Sequence, residues 1–299
     1  MLGTAAGWTD GTVGPVSVPL AADLKVSLAA VGLLSGTVFF GACLVAAWTT
    51  PWATSRLGMA GGLRAACGLD VVGNLMCAVG PSFGWLVAGR ILVGLGVGAV
   101  FVLAYVLARD RGGVRLMGTL GGSTSLGLAL SLVVGGILAD VPAWRASFAV
   151  TGALGVVALF LVPSTDLTDR PKSLGRIGPL LAGLLRPGTW LVLGVYLTAT
   201  CTPLILGVWI VVYLSGDPGG LSPWLAGLFG GMMYFLTVLT RPIGGMAGQR
   251  STNGWWLPAL GLALAGGGLV GLALSRTLGP VIVSVAAIGT GFALPFATV

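Results

Sequence analysis

Apolar residues in this chain come in long unbroken runs. They show neither the i, i+3, i+4 stripe of a water-facing helix nor the alternation of a half-buried strand. The runs lie near 5–22, 28–48, 63–79, 84–107, 117–138, 146–163, 188–213, 222–240, 255–274 and 279–299. Roughly 17 to 25 apolar residues in helical form cross a hydrocarbon core of about 30 Å. Strands of an outer-membrane barrel would alternate, and these runs do not. The pattern predicts ten membrane-spanning helices, an all-α polytopic membrane protein.

Composition agrees. Of 299 residues, 56% are hydrophobic and 8% charged, with a mean hydropathy of +1.02. A soluble domain carries about 25% charged residues, so too few charges remain here to cover a water-facing surface. Glu and His are both absent. Their absence removes the commonest general base and metal ligand and leaves no basis for an enzyme, a metal site or a cofactor. Cys43, Cys67, Cys77 and Cys201 lie in apolar runs without a CxxC pair, which argues against a disulfide framework or zinc. The 52 glycines have no G-X-Y period; in membrane helices Gly permits close approach. Met1 to Leu24 contains no Lys or Arg, unlike the basic start of a signal peptide.

The net charge of +7 is a topology signal. With a cytoplasmic N-terminus, one side collects Arg56, Arg64, Arg109, Arg111, Arg115, Arg170, Lys172, Arg176, Arg186, Arg241 and Arg250, and the other only Lys25, Arg145 and Arg276. This bias follows the positive-inside rule and leaves no case for a nucleic-acid partner. The stretch from Ser164 to Arg186 is the longest polar one and divides six spans from four. Residues 1–163 are expected to form one bundle, 164–186 a cytoplasmic linker, and 187–299 a second bundle of four spans. Ser27 precedes Arg56 by 29 residues across one span, and Ser222 precedes Arg250 by 28 across another. Two packed repeats can rock about a midplane site, although any two membrane hairpins share this outline.

Several motifs resemble the major facilitator superfamily of secondary transporters. The loop Pro51–Gly58 with Arg64 is similar to the family's G-x-x-x-D-R-x-G-R-R loop. Arg56 and Gly58 match it; Pro51, Ser55, Met59 and Ala60 depart from it. The run from Leu86 through Arg90 to Gly94, Gly96 and Gly98 resembles the helix-four motif, and Trp144–Arg145 also fits. The first span, with Asp10, Pro19 and Asp23, resembles helix one of the drug:proton antiporters. The fifth span, Gly127 to Gly136, has Ser131–Leu132 where their antiporter motif has Gly-Pro. The resemblance implies two six-helix bundles, a small-molecule substrate, proton coupling, alternating access and a monomer in the cell (inner) membrane. On that plan helices eleven and twelve are missing from this chain. A fragment or an inactive, shortened carrier is therefore among the alternatives, as is uptake of a small anion or metabolite.

Ionisable residues inside a span are functional candidates. Asp10 is expected to be the proton or cation site, the alternative being a place in the headgroup layer. Arg90 is expected to pair with a cavity acid or an anionic substrate, the alternative being that it snorkels to the outer interface. Asp70 and Asn74 share a face at i, i+4 and are expected to pack against a loop arginine such as Arg56. Arg56 and Gly58, with Arg241 and Arg250 in the second half, are read as a conformational latch, simple positive-inside anchoring being the alternative. In the seventh span Thr198, Thr202 and Trp209, near Thr200 and Pro203, are candidates to line the cavity; packing is the alternative for the threonines.

Overall fold

The computed structural model describes residues 1–139, 143–162, 185–216, 220–250, 256–275 and 277–295. The predicted linker 164–186 lies outside the described residues except for Leu185 and Arg186. The described residues form ten helical passes and no strand.

Helices α1 (Leu2–Gly11) and α2 (Val13–Leu24) make the first pass. The step between them falls one turn before Pro15, which has no N–H to give the carbonyl of Gly11. Lys25 ends the pass in the left-handed region, φ 55°. The second pass starts at α3 (Leu28–Leu33), where the Ser27 hydroxyl caps the N–H of Ala30 at 3.2 Å. A π-helical turn (Leu34–Val38) then leads into α4 (Phe39–Val79).

The sequence pattern left 49–62 between two runs. The structure keeps this stretch helical except at Gly58, whose φ of 72° turns the chain from the second pass into the third. That conformation is open to Gly at little steric cost. Gly113, φ 55°, does the same inside α5 (Phe83–Ala139), separating passes four and five. The sixth pass is α6 (Trp144–Phe160). The second half holds α7 (Pro187–Ser215), α8 (Pro223–Arg250), α9 (Trp256–Leu274) and α10 (Leu278–Ala293).

Hydrocarbon removes the hydrophobic drive between helices, so backbones must approach closely to gain dispersion contacts. Gly3, Gly7 and Gly11 form an i, i+4, i+8 stripe on α1 that lies against α5 beyond Gly113. A Cβ at Gly7 would sit 2.0 Å from the carbonyl oxygen of Thr124. Between the halves, Gly14 packs on the Gly207 carbonyl, the Trp209 ring lies over Gly32, and Gly136 meets Gly227. These contacts lie on the Lys25 side of the molecule. Lipid-facing positions are apolar: Trp48, Phe160 and Val283 are exposed.

Candidate functional site

A cavity of about 380 Å³ opens between the two halves, along the arginine-bearing part of the helices. The first half contributes Asp10, Phe39, Phe40, Cys43, Phe101 and Tyr105, with Thr124 and Ser125 from the fifth pass. From the second half come Tyr196, Thr200 and Pro203 on α7, Tyr234, Thr237 and Arg241 on α8, and Phe292 on α10. Its wall is aromatic, with one carboxylate at depth and one guanidinium nearer the basic end.

Asp10 is 9% exposed, and its Oδ1 has no hydrogen-bond partner among the described residues. Its direction is set by its neighbours on α1. Trp8 and Thr12 flank it at i−2 and i+2, which puts them on the opposite face. Both are tied to one hydroxyl of α6: Trp8 Nε1 donates to Thr151 Oγ1 at 3.1 Å, and Thr12 and Thr151 hydroxyls meet at 2.9 Å. Thr151 thus fixes the rotation of the first pass, and Asp10 faces the cavity in consequence.

Arg90 is fully buried, so it does not snorkel outward. Its guanidinium stacks over the Phe39 ring at 4.5 Å, and none of its three nitrogens meets an acceptor among the described residues. Asp10 and Asp70 both lie within its electrostatic reach, and within reach of each other.

Asp70 does not pack against Arg56, contrary to expectation. It points into the first half, where Asn74 Nδ2 donates to its Oδ1 at 2.8 Å and Thr9 Oγ1 at 3.3 Å. Arg56 is exposed and stacks on its own helix over the Trp52 ring, 4.4 Å away. The physical reason is helical geometry: Asp70 lies more than three turns beyond Gly58, out of reach of an arginine at that turn. Arg64 instead reaches the Val162 carbonyl at 3.4 Å.

Three seventh-span candidates lie off the cavity wall. Thr198 is exposed and bonds back to the Gly194 carbonyl, Thr202 is half-buried outside the lining, and Trp209 covers Gly32. The wall is formed by Tyr196, Ala199, Thr200, Pro203 and Leu204. Tyr234 supports this wall by donating its hydroxyl to the Pro203 carbonyl. Arg241 reaches the first half, its Nη1 2.7 Å from where a Cβ of Gly121 would sit. Arg250 is the last residue of α8, and its side chain lies outside the described residues.

At the outer end of the first half, Arg145 Nη1 pairs with Asp23 Oδ2 at 2.7 Å, and Trp144 Nε1 donates to the same oxygen. These contacts hold the Asp23 carboxyl below its usual range.

The sequence profile of the Major Facilitator Superfamily matches residues 1–299. The chain belongs to the Major Facilitator Superfamily. Relatives in the superfamily include the MFS-type transporter YbcL of Bacillus subtilis, 29% identical over 257 residues, which cover 80% of this chain and 61% of YbcL. A multidrug resistance protein B homolog of Mycobacterium tuberculosis is 31% identical over 144 residues, 47% of this chain and 27% of that protein. The chain therefore spans about three fifths or less of these relatives. Among solved structures, a bacterial homolog of the human lysosomal transporter Spinster, inward-facing and unoccupied, superposes with a TM-score of 0.75. The match has 17% identity and covers 99% of this chain and 72% of that one. A D-xylose-proton symporter gives 0.68 at 17% identity, covering 99% and 79%. Family membership and the long apolar helices make the chain a multi-pass helical membrane protein.

Proposed function

We propose that this chain is a proton-coupled carrier that exports a small lipophilic or cationic organic molecule from the cell by alternating access, with Asp10 as the coupling carboxylate. The observation that carries this reading is the unpartnered Oδ1 of Asp10 at the wall of a cavity lined by Phe39, Phe40, Phe101 and Tyr234. A carboxylate placed there binds either a proton or a cationic group, and aromatic faces stack on cations and flat apolar rings. On the positive-inside assignment the cavity faces the cytoplasm. A similar multidrug resistance protein homolog and a proton-symporter neighbour support coupling and substrate class. The uptake alternative, with Arg90 as the anion partner, is less favoured because Arg90 stands behind Phe39 rather than on the wall.

The test is proton movement in everted vesicles carrying the chain, challenged with ethidium as a lipophilic cation, a neutral sugar or an organic anion. Ethidium-driven proton release that disappears in Asp10→Asn supports the reading. Equal movement in both proteins removes Asp10 from the mechanism, and movement driven only by the anion favours uptake through Arg90.

A further inference from the structure

Among the described residues, Asp70 is a buried acid that this scheme does not use. It sits inside the first half, 5% exposed, away from the wall of the central cavity. A second, separate space touches it: a crevice of about 10 Å³ lined by Leu2, Ala6, Cys67, Asp70, Val100 and Ala158, among others. That volume is at the threshold for holding one water. The lining runs on α4 from Asp70 to Cys67, on α5 from Val97 to Val100, on α6 from Gly155 to Ala158 and on α1 from Ala6 to Leu2. Every one of these steps leads towards the end that carries Arg56, Arg64 and Arg109.

The hydrogen bonds around Asp70 suit two protonation states. Asn74 gives one N–H to Oδ1 at 2.8 Å and the other to the Asp70 backbone carbonyl at 2.9 Å. Oδ1 is thereby occupied, and Oδ2 is the oxygen left for a proton. Oδ2 lies beside Gly155, 3.3 Å from where a Cβ would be. The Thr9 hydroxyl lies 3.3 Å from Oδ1 and 3.5 Å from Oδ2 of Asp70, and 3.1 Å from the Ala5 carbonyl. With Asp70 ionised, Thr9 donates to it. With Asp70 protonated, the new O–H donates to Thr9, which turns its own hydrogen to Ala5. A hydroxyl is both donor and acceptor, so Thr9 serves Asp70 in either state.

We infer that Asp70 is a second proton-binding carboxylate, loaded through this crevice within the first half and not through the central cavity. The inference rests on the proton-coupled reading above and deepens it. A hydronium arriving by the crevice gives its proton to Oδ2, leaving a neutral carboxylic acid and a water; no bond to carbon changes. The groups facing Asp70 are Thr9 and Asp10 from α1, Arg90 from α5, and Cys67 and Asn74 from its own helix; α6 presents Gly155 and Ala158 and no titratable group. Arg90 is then one fixed cation shared by two acids, so a proton on either leaves the cation to the other. Thr9 and Asp10 are adjacent on α1, which links the two acids through a single helix.

Infrared difference spectra between alkaline and acidic pH, taken on the full chain in lipid, test this directly. Asp70→Asn is expected to lose one buried carboxylic-acid carbonyl band that Asp10→Asn retains, and Asp70→Glu to shift that band. Gly155→Ala, which adds a methyl beside Oδ2, is expected to slow the rise of the Asp70 band after an acid step and leave the Asp10 band unchanged. The Asp10 band also reports that each variant has kept its fold. If only Asp10→Asn removes a band, Asp70 is a permanent counter-charge to Arg90 and this inference alone falls. If neither variant removes one, the proton-coupled reading falls with it. Equal slowing of both bands by Gly155→Ala overturns the separate route.

Discussion

The two halves of the molecule meet at one cavity but bring different chemistry to it. The first half buries two carboxylates and a guanidinium between α1, α4 and α5; Thr9 and Asn74 bond Asp70, and Thr151 holds the helix that carries Asp10. The second half presents hydroxyls and rings: Thr200, Tyr234, Thr237 and Phe292, with Arg241 towards the basic end. Buried charge is costly unless it is held by partners, so the half that carries it needs fixed helix rotations and glycine-close packing. The second half is packed as closely, a Cβ at Gly289 falling 2.2 Å from the Met233 carbonyl oxygen, but the face it turns to the cavity carries hydroxyls and rings beside the Arg241 guanidinium. On the proposed function this is a division of labour, with coupling in the first half and recognition in the second.

The comparison breaks first if the close packing of the first half is opened. Gly7→Ala places a methyl 2.0 Å from the Thr124 carbonyl, and such overpacking costs about 1–3 kcal/mol. Gly194, with open space around it, serves as the control, and Gly194→Ala is expected to leave the melting temperature in lipid unchanged. Next comes Thr151→Val, which deletes the shared partner of Trp8 and Thr12. An unsatisfied indole N–H and a lost bond amount to about 1–3 kcal/mol, and Thr151→Ser is expected to restore both the melting temperature and ethidium-driven proton release. Tyr234→Phe tests the other half: it removes the bond to the Pro203 carbonyl, about 1 kcal/mol, and is expected to weaken apparent ethidium affinity while coupling persists.

The smallest effect belongs to Asp23→Asn. Arg145 and Trp144 hold the Asp23 carboxyl below its ordinary value. Its contribution is therefore present above the unfolded-state value and is lost as pH falls through the lower, folded-state value. A melting-temperature difference between Asp23→Asn and the parent chain is expected at neutral pH and should vanish in strong acid.

Much of this was legible in the sequence. Apolar run length marked the ten passes, and Gly58 lay in the loop motif between two of them. Asp10 and Arg90 stood out because charge within an apolar run is rare. What could not be read was which face of each helix looks inward. Hydropathy is nearly uniform around a membrane helix, since lipid and protein interior are equally apolar. Thr198 and Thr200 are therefore indistinguishable in sequence, although one faces outward and the other lines the cavity. The partner of Asp70 was missed for a related reason: Thr9 is 61 positions away, and only the packing of α1 on α4 brings them together. Thr151 carried no motif at all.

The most direct test of the division between the halves measures protons moved per ethidium in liposomes, with Asp10→Asn and Tyr234→Phe side by side. The account predicts that Asp10→Asn still carries ethidium down its gradient but moves no protons, and that Tyr234→Phe keeps the parent ratio at a lower apparent affinity. An unchanged ratio in Asp10→Asn, or a collapsed one in Tyr234→Phe, would contradict it.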